Sequence, residues 1–181
     1  MVLRPHPSGK PTPLDGIAVE AVRLAGARLR LRYLATGDLA RLSVPRPMPQ
    51  ARVDELWRHT CFEAFLSAGD ARYWELNLAP SSQWAAYAFS GYRERAADPD
   101  LAPPEIQVEA GPRTLVLIAD LDLSTIAGLD ANAPWRLGLS AVIEDNRGER
   151  SYWALAHPPG KPDFHHASAF TLHLPPPPDR P

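Results

Sequence analysis

The clearest pattern in the chain is an alternation of hydrophobic and polar side chains with a period of two. In the segment ARLRLRYLA, Leu29, Leu31 and Tyr33 alternate with three arginines. Successive side chains of a strand point to opposite faces, so this pattern predicts a half-buried antiparallel strand. The preceding segment IAVEAVRLA alternates in the same way, with Ile17 and Val19 on one side. No segment repeats hydrophobic residues at a period of 3.6 over three turns, so helices are not predicted.

Further segments of strand length follow, separated by turn residues. They are TCFEAFLSA, RYWELNLAP, QWAAYAFSGY, EIQVEAG, RTLVLIADL, APWRLGLSAVIED, ERSYWALAH and SAFTLHLP. About nine or ten short strands with frequent turns are typical of an all-β sandwich or barrel. We therefore predict an all-β fold, an antiparallel β-sandwich of the jelly-roll type.

Proline is far more frequent than in an average protein. The chain has 21 prolines, whereas ordinary usage predicts about nine in this length. Proline lacks the backbone donor that a sheet needs, so its clusters mark loops and chain ends. The clusters divide the chain into a proline-rich N-terminal arm (residues 1–14), a single sandwich domain (15–174) and a proline-rich tail (175–181).

Charge and hydropathy exclude some classes of partner. The formal net charge is −2 and the basic residues are scattered, which argues against nucleic acid. No hydrophobic run has the length of a membrane span or the form of a secretory signal, so we expect a cytoplasmic protein without a membrane partner. The single cysteine, Cys61, is expected to be a buried small hydrophobic residue. The oligomeric state is not predicted.

Two carboxylates and an amide are expected on one face of two adjacent strands. If TCFEAFLSA and RYWELNLAP pair as a hairpin, Glu63, Glu75 and Asn77 project from the same side. Three interpretations remain open: a carboxylate pair for glycosidic chemistry, recognition of ligand hydroxyl groups, or a structural ion pair with a basic residue such as Arg136.

A histidine-rich segment, HPPGKPDFHH, is the second candidate for chemistry. It contains His157, Lys161, Asp163, His165 and His166. Imidazole and carboxylate groups are common metal ligands, but adjacent histidines point apart in an extended chain. The segment is therefore interpreted as a metal site, a ligand-contacting loop or an ordinary polar loop. A haem site would need two axial ligands, such as Met48 with one of these histidines, and no cofactor is predicted.

Aromatic residues beside these polar groups suggest a sugar site, because an aromatic ring covers the apolar face of a pyranose. Trp57 precedes a strand in a polar context, and Trp153 lies in a strand that runs towards the histidine-rich segment. Trp74 and Trp135 are expected in the core. The alternative for Trp57 and Trp153 is that they too are core residues.

The segments LWRHTCFEAFL and YWELNLAPSSQWAAYAF, with SYWALAH and PDFHH near the end, resemble bacterial DOMON-like proteins related to family 9 carbohydrate-binding modules. The resemblance covers roughly residues 15–174. It implies a β-sandwich with a concave sheet, on which Trp57 and Trp153 correspond to two aromatic residues that clamp a sugar in some members. Arg58 and His59 stand where the family usually has acidic residues. Related DOMON domains bind haem instead of sugar.

The function expected from these features is non-catalytic binding of a small saccharide or similar polar ligand. Trp57 and Trp153 would stack on the ligand. The expected hydrogen-bonding residues are Arg58, His59, Glu63, Glu75, Asn77, His157 and His165. The alternatives are an enzyme in which Glu63 or a histidine acts as an acid or base, and a haem- or metal-binding DOMON-type domain.

Overall fold

Twelve antiparallel β-strands form a two-layered sandwich in the computed structural model, which describes residues 1–177. The last four residues of the predicted proline-rich tail, 178–181, lie outside the described residues. The strands are β1 (Val2–Pro5), β2 (Leu14–Leu24), β3 (Arg28–Gly37), β4 (Cys61–Ser67), β5 (Tyr73–Leu78), β6 (Trp84–Gly91), β7 (Glu94–Arg95), β8 (Glu105–Ala110), β9 (Thr114–Asp122), β10 (Trp135–Glu144), β11 (Arg150–Ala154) and β12 (Leu172–Leu174). The predicted all-β class is confirmed.

The strands form one continuous path that contributes to both layers. The first layer contains β2, β3, β9 and β8 in that order, and the second contains β7, β6, β5, β4, β10 and β11. Strand β1 connects the layers because it pairs with β2 on one side and β11 on the other. Strand β12 pairs with β10 beyond the end of β11.

The hydrophobic faces of the two layers pack against each other. Leu29, Leu31 and Tyr33 of β3 are fully buried there, as the alternation predicts. The ring of Tyr33 lies 4.8 Å from that of Phe62 on β4, and its hydroxyl donates a 2.8 Å hydrogen bond to the carbonyl oxygen of Glu63. A buried tyrosine hydroxyl needs such an acceptor, so this contact fixes the two layers relative to each other.

The second layer is also covered on part of its outer face. Phe65 and Tyr73 point outward from β4 and β5. They pack with Phe164 of the histidine-rich segment and with Phe170, which follows that segment. Strands β4 and β5 are consequently buried on both faces. The candidate site lies beside this second aromatic cluster.

The predicted N-terminal arm, residues 1–14, contains strand β1. Leu3 of β1 pairs with Ile17 of β2 and is 1% exposed, while Arg4 pairs with Ala154 of β11. Of the prolines in residues 1–14, only Pro5 falls in a strand, at the end of β1, where a missing donor is tolerated. Part of the predicted arm is therefore an interior strand of the sheet.

Helical structure within residues 1–177 is limited to short 3-10 turns at Leu39–Arg41, Leu56–Arg58 and Ala167–Ala169. The turn at Leu56–Arg58 lies just before β4 and contains Trp57. None of these helical segments is long and apolar enough to span a bilayer.

Candidate functional site

A cleft of about 780 Å³ opens on the outer face of the second layer. Its floor is formed by side chains of β4, β5, β6, β10 and β11. One wall is the segment that precedes β4, which carries Trp57, and the other is the histidine-rich segment, which carries Phe164 and His165. The cleft thus combines residues that are distant in sequence but adjacent in the sheet.

The strand register brings Glu63 and Glu75 to this floor. Glu63 on β4 is paired with Asn77 on β5, and Phe65 is paired with Glu75, so the two glutamates are diagonal neighbours. Diagonal neighbours on one face of an antiparallel pair lie within reach of each other's side chains. Both glutamates line the cleft, and their common face agrees with the alternation in the sequence.

Glu63 is almost completely buried, with 2% of its surface exposed. Its Oε2 accepts a 3.2 Å hydrogen bond from the hydroxyl of Ser140 on β10. Among the described residues, no donor contacts Oε1. Burial, together with the negative charge of Glu75, raises the pKa of Glu63 well above its usual range, although the Ser140 hydrogen bond partly opposes this.

Glu75 is held by an amide and faces an imidazole. Asn77 donates a 2.8 Å hydrogen bond from Nδ2 to Oε1 of Glu75, and Nε2 of His165 lies 3.7 Å from Oε2. Burial raises the pKa of Glu75, while the Asn77 hydrogen bond and the charges of Arg95 and Arg93 lower it in part. Because burial raises both pKa values and the charge of Glu75 raises that of Glu63 further, a state in which at least one of the two groups holds a proton is favoured.

The expected ion pair of these glutamates with Arg136 is absent from the described structure. Arg136 donates instead to the carbonyl oxygen of Phe170 at 3.2 Å. The predicted face is right but the position is wrong, because Arg136 lies opposite Ser67 whereas Ser140 lies opposite Glu63. Four residues of extended chain separate the two positions by about 13 Å.

His165 is a neutral imidazole at the wall of the cleft. Burial, together with the charge of Arg93, lowers its pKa to about 4, although Asp163 opposes this shift. Its Nδ1 lies 2.9 Å from the hydroxyl of Tyr73. The imidazole therefore faces the Glu75 carboxyl group without supplying a compensating positive charge near neutral pH.

Two arginines lie at the rim, and both already have acidic partners. Arg93 pairs with Asp163 at 2.8 Å. Arg95 pairs with Asp98 at 2.6 Å, and its guanidinium lies 3.9 Å from the centre of the Tyr87 ring. The Arg93–Asp163 pair joins the β6–β7 hairpin to the histidine-rich segment, and the contacts of both arginines limit the freedom of their guanidinium groups.

The aromatic contribution to the cleft differs from the predicted pair. Trp57 lies at the rim on the 3-10 turn before β4 and is 41% exposed, so its ring is available to a ligand. Trp153, by contrast, is 3% exposed and packs between the layers, where its Nε1 donates to the Ser151 hydroxyl at 3.0 Å. Its role as a stacking residue is therefore corrected: successive strand residues alternate in direction, and it is the preceding Tyr152 that lines the cleft.

Three other predicted residues do not line the cleft. Arg58 pairs with Glu55 at 2.7 Å, and Nδ1 of His59 lies 2.8 Å from Oε2 of Glu144. His157 lies at the other end of its segment, with Nε2 2.8 Å from the Arg4 carbonyl oxygen. Of the predicted site residues, the structure gathers Trp57, Glu63, Glu75 and His165 in one cleft, with Asn77 buried behind Glu75.

The residues that the sequence analysis missed come mainly from β6 and the hairpin after it. They are Asp54, Tyr87, Phe89, Arg93, Arg95, Tyr152 and Phe164. The sequence alone indicates only part of this set. The pairing of Glu75 with Tyr87 places the tyrosine on the cleft face, but that register follows from strand pairing and not from the composition of β6.

Within residues 1–177, no group of three or more histidine, cysteine, aspartate or glutamate side chains is arranged to hold a metal ion. The adjacent histidines diverge, since Nδ1 of His166 accepts from the backbone of Ser168 while His165 faces the cleft. Met48, the candidate haem ligand, is exposed and does not line the cleft.

Comparisons with known proteins establish the fold but no family. No family model matches the chain, and no curated protein matches it. The crystal structure of a "putative carbohydrate-binding protein" from Bacteroides uniformis is similar, with a TM-score of 0.63 and 14% sequence identity, over 86% of this chain and 76% of that chain. The similarity supports the sandwich architecture described above.

Proposed function

We propose that the cleft on the second layer binds a small saccharide, or a ligand with a similar arrangement of hydroxyl groups, without transforming it. The observation that carries the proposal is the pair of buried carboxyl groups, Glu63 and Glu75, on the floor of an aromatic-lined cleft of about 780 Å³. A cleft of this size is in the range of small-molecule sites.

Two carboxyl oxygens in the cleft can accept hydrogen bonds from ligand hydroxyl groups. Oε1 of Glu63 has no described donor, and Oε2 of Glu75 has only the distant His165 imidazole near it. Neither oxygen is one of the fully buried atoms without a partner, so both are accessible from the cleft. Ligand hydroxyl groups would donate to these oxygens, and a protonated carboxyl group would also donate in return.

Aromatic rings in the cleft can stack on the apolar face of a sugar. Trp57 at the rim, with Tyr152 and Phe164 deeper in the cleft, presents aromatic surface on the same side as the carboxyl groups. The C–H face of a sugar ring packs on such surfaces while its hydroxyl groups reach the polar floor.

Two further observations favour a carbohydrate ligand. The similar structure from Bacteroides uniformis is described as a "putative carbohydrate-binding protein". The chain also resembles DOMON-like proteins related to family 9 carbohydrate-binding modules in the segments around Trp57, Glu63 and Glu75. Membership of that group, with its jelly-roll connectivity, is part of this proposal.

A thermal-shift screen of the full chain against mono- and disaccharides tests the proposal. A ligand at 100 times its Kd should stabilise the fold by about 2.7 kcal/mol, which gives a clear rise in Tm. The matched control is Trp57→Ala, which should reduce the shift at the same ligand concentration. Absence of any shift across the panel, at concentrations that saturate a millimolar site, would overturn the proposal.

A second candidate is glycoside hydrolysis, which one observation favours. Burial raises the pKa of both carboxyl groups, and the charge of Glu75 raises that of Glu63 further. An acid paired with a second carboxylate is what that reaction requires. Glu63→Gln distinguishes the two functions, because it keeps the shape of the side chain and removes its acid chemistry. Turnover of an aryl glycoside by the wild type, abolished in this variant, would replace the binding function with the enzymatic one.

A further inference from the structure

The carboxyl pair on the cleft floor lacks a cationic partner of its own. Within residues 1–177, no lysine or arginine makes an ion pair with Glu63 or Glu75. Their hydrogen-bond donors are the neutral groups of Ser140 and Asn77. A buried carboxylate in its ionised form is ordinarily paired with a cation, so a bound cation would stabilise the ionised form of this pair.

The nearby positive groups are committed elsewhere. Arg93 is paired with Asp163, and Arg95 is paired with Asp98. The His165 imidazole is 3.7 Å from Glu75, and its Nδ1 is occupied by the Tyr73 hydroxyl. A ligand is therefore the remaining source of a positive charge at the floor of the cleft.

An oxygen of Glu63 without a described donor points to where that charge would lie. Glu63 is only 2% exposed and lines the cleft. No described donor contacts its Oε1, which is not one of the fully buried atoms and so is accessible from the cleft. Oε2 of Glu75, on the adjacent strand, is the other oxygen without a close donor. An ammonium group has three hydrogen-bond donors, which is enough for one to each carboxyl group.

The aromatic walls favour the same chemistry. Trp57, Tyr87, Phe89 and Tyr152 line the cleft around the two carboxyl groups. Aromatic rings attract cations by their negative faces, and this attraction grows when water is excluded. The Tyr87 ring already makes a cation–π contact, because the Arg95 guanidinium lies over it.

We propose that the cleft selects an amino sugar, with the ligand's ammonium group bound between the carboxyl groups of Glu63 and Glu75. This inference rests on the proposed saccharide function and narrows its ligand class. The sugar ring lies against the aromatic wall, and the remaining hydroxyl groups reach the rim.

Isothermal titration calorimetry of the full chain with matched probes tests the inference. The probes are D-glucosamine, D-glucose, N-acetyl-D-glucosamine and cyclohexylamine, which separate the contribution of the ammonium group from that of the hydroxyl groups. D-glucosamine should bind about 10- to 100-fold more tightly than D-glucose, as expected for a charge-assisted hydrogen bond with a cation–π contribution. N-acetylation removes the charge and should abolish the advantage.

Substitutions of the two glutamates test whether they bind the ammonium group. Glu63→Gln and Glu75→Gln should each reduce the preference for D-glucosamine over D-glucose about tenfold. Glu109→Gln, exposed on β8 and remote from the cleft, is the matched control and should keep the full preference.

The outcomes separate this inference from the proposed function. Equal affinity for D-glucose and D-glucosamine would overturn the amino-group preference and leave saccharide binding in place. Binding of cyclohexylamine as tight as that of D-glucosamine, without binding of D-glucose, would support an ammonium site and overturn the saccharide function. Absence of binding by all four probes would overturn both.

Discussion

The hydroxyl of Tyr73 and Nδ1 of His165 lie 2.9 Å apart and join β5 to the histidine-rich segment. The backbone N–H of Arg93 donates to the same hydroxyl at 3.0 Å, so the hydroxyl's own proton is directed to Nδ1. A neutral imidazole that accepts at Nδ1 carries its hydrogen on Nε2. That Nε2–H faces Glu75, which connects the aromatic cluster to the carboxyl pair.

Burial of this histidine should make the fold sensitive to acid. The folded-state pKa of His165 is lowered to about 4 from an ordinary 6.5. A depressed pKa contributes stability that is present above pH 6.5 and is lost as the pH falls towards 4. We expect His165→Asn to remove about 3 kcal/mol of the wild type's acid-dependent loss of stability, measured by urea unfolding at pH 7 and pH 4.

His166 supplies the matched control for that experiment. It is the next residue and is exposed, and an asparagine there can still cap the 3-10 turn that follows. His166→Asn should keep the acid-dependent loss of the wild type, because it leaves His165 in place. An identical pH response of His165→Asn and wild type would show that His165 does not control this transition.

Removal of the rim aromatic should separate binding from folding. Trp57 is 41% exposed beside the cleft, so Trp57→Ala should weaken saccharide binding by about 2 kcal/mol. The free energy of unfolding should change by less than about 0.5 kcal/mol, as for other surface substitutions. Calorimetry and urea unfolding measure the two effects, and a variant that loses its fold would identify Trp57 as a packing residue.

Trp153 should behave in the opposite way. It packs between the layers with 3% exposure, so Trp153→Ala should cost about 3–5 kcal/mol of folding free energy. The neighbouring Tyr152 faces the cleft, and Tyr152→Ala should weaken ligand binding with a much smaller loss of stability. A stable Trp153→Ala variant with impaired binding would reverse our assignment of the two strand faces.

Neutralisation of the buried glutamate should stabilise the protein at alkaline pH. The pKa of Glu63 is raised by burial and by Glu75, so the stability associated with its protonated form is lost as the pH rises through that pKa. Glu63→Gln should be about 1–2 kcal/mol more stable than the wild type at pH 8, and this advantage should shrink at pH 5. Urea unfolding at the two pH values measures the difference.

Glu109→Gln provides the comparison, since Glu109 is exposed on β8 and carries no such burial cost. Its stability relative to the wild type should be nearly independent of pH over this range. If Glu63→Gln were less stable than the wild type at both pH values, the hydrogen bonding of the ionised carboxylate would outweigh its burial.

Side-chain directions within single strands could be predicted from the sequence. Alternation in β3 identified Leu29, Leu31 and Tyr33 as core residues, and alternation in β4 and β5 placed Glu63 and Glu75 on one face. These inferences hold because the side-chain direction in a strand follows from the backbone of that strand alone.

Longer-range features depended on which strands became neighbours. The sequence showed that Tyr152 and Trp153 point in opposite directions, but only the packing of the two layers decided which of them entered the core. Likewise, Arg136 lies on the same sheet face as Glu63. The register of β10 with β4 nevertheless places Ser140, and not Arg136, beside Glu63. Register and layer packing are set by contacts between residues far apart in the chain, so the sequence defined the faces of the strands while the tertiary structure assembled the cleft.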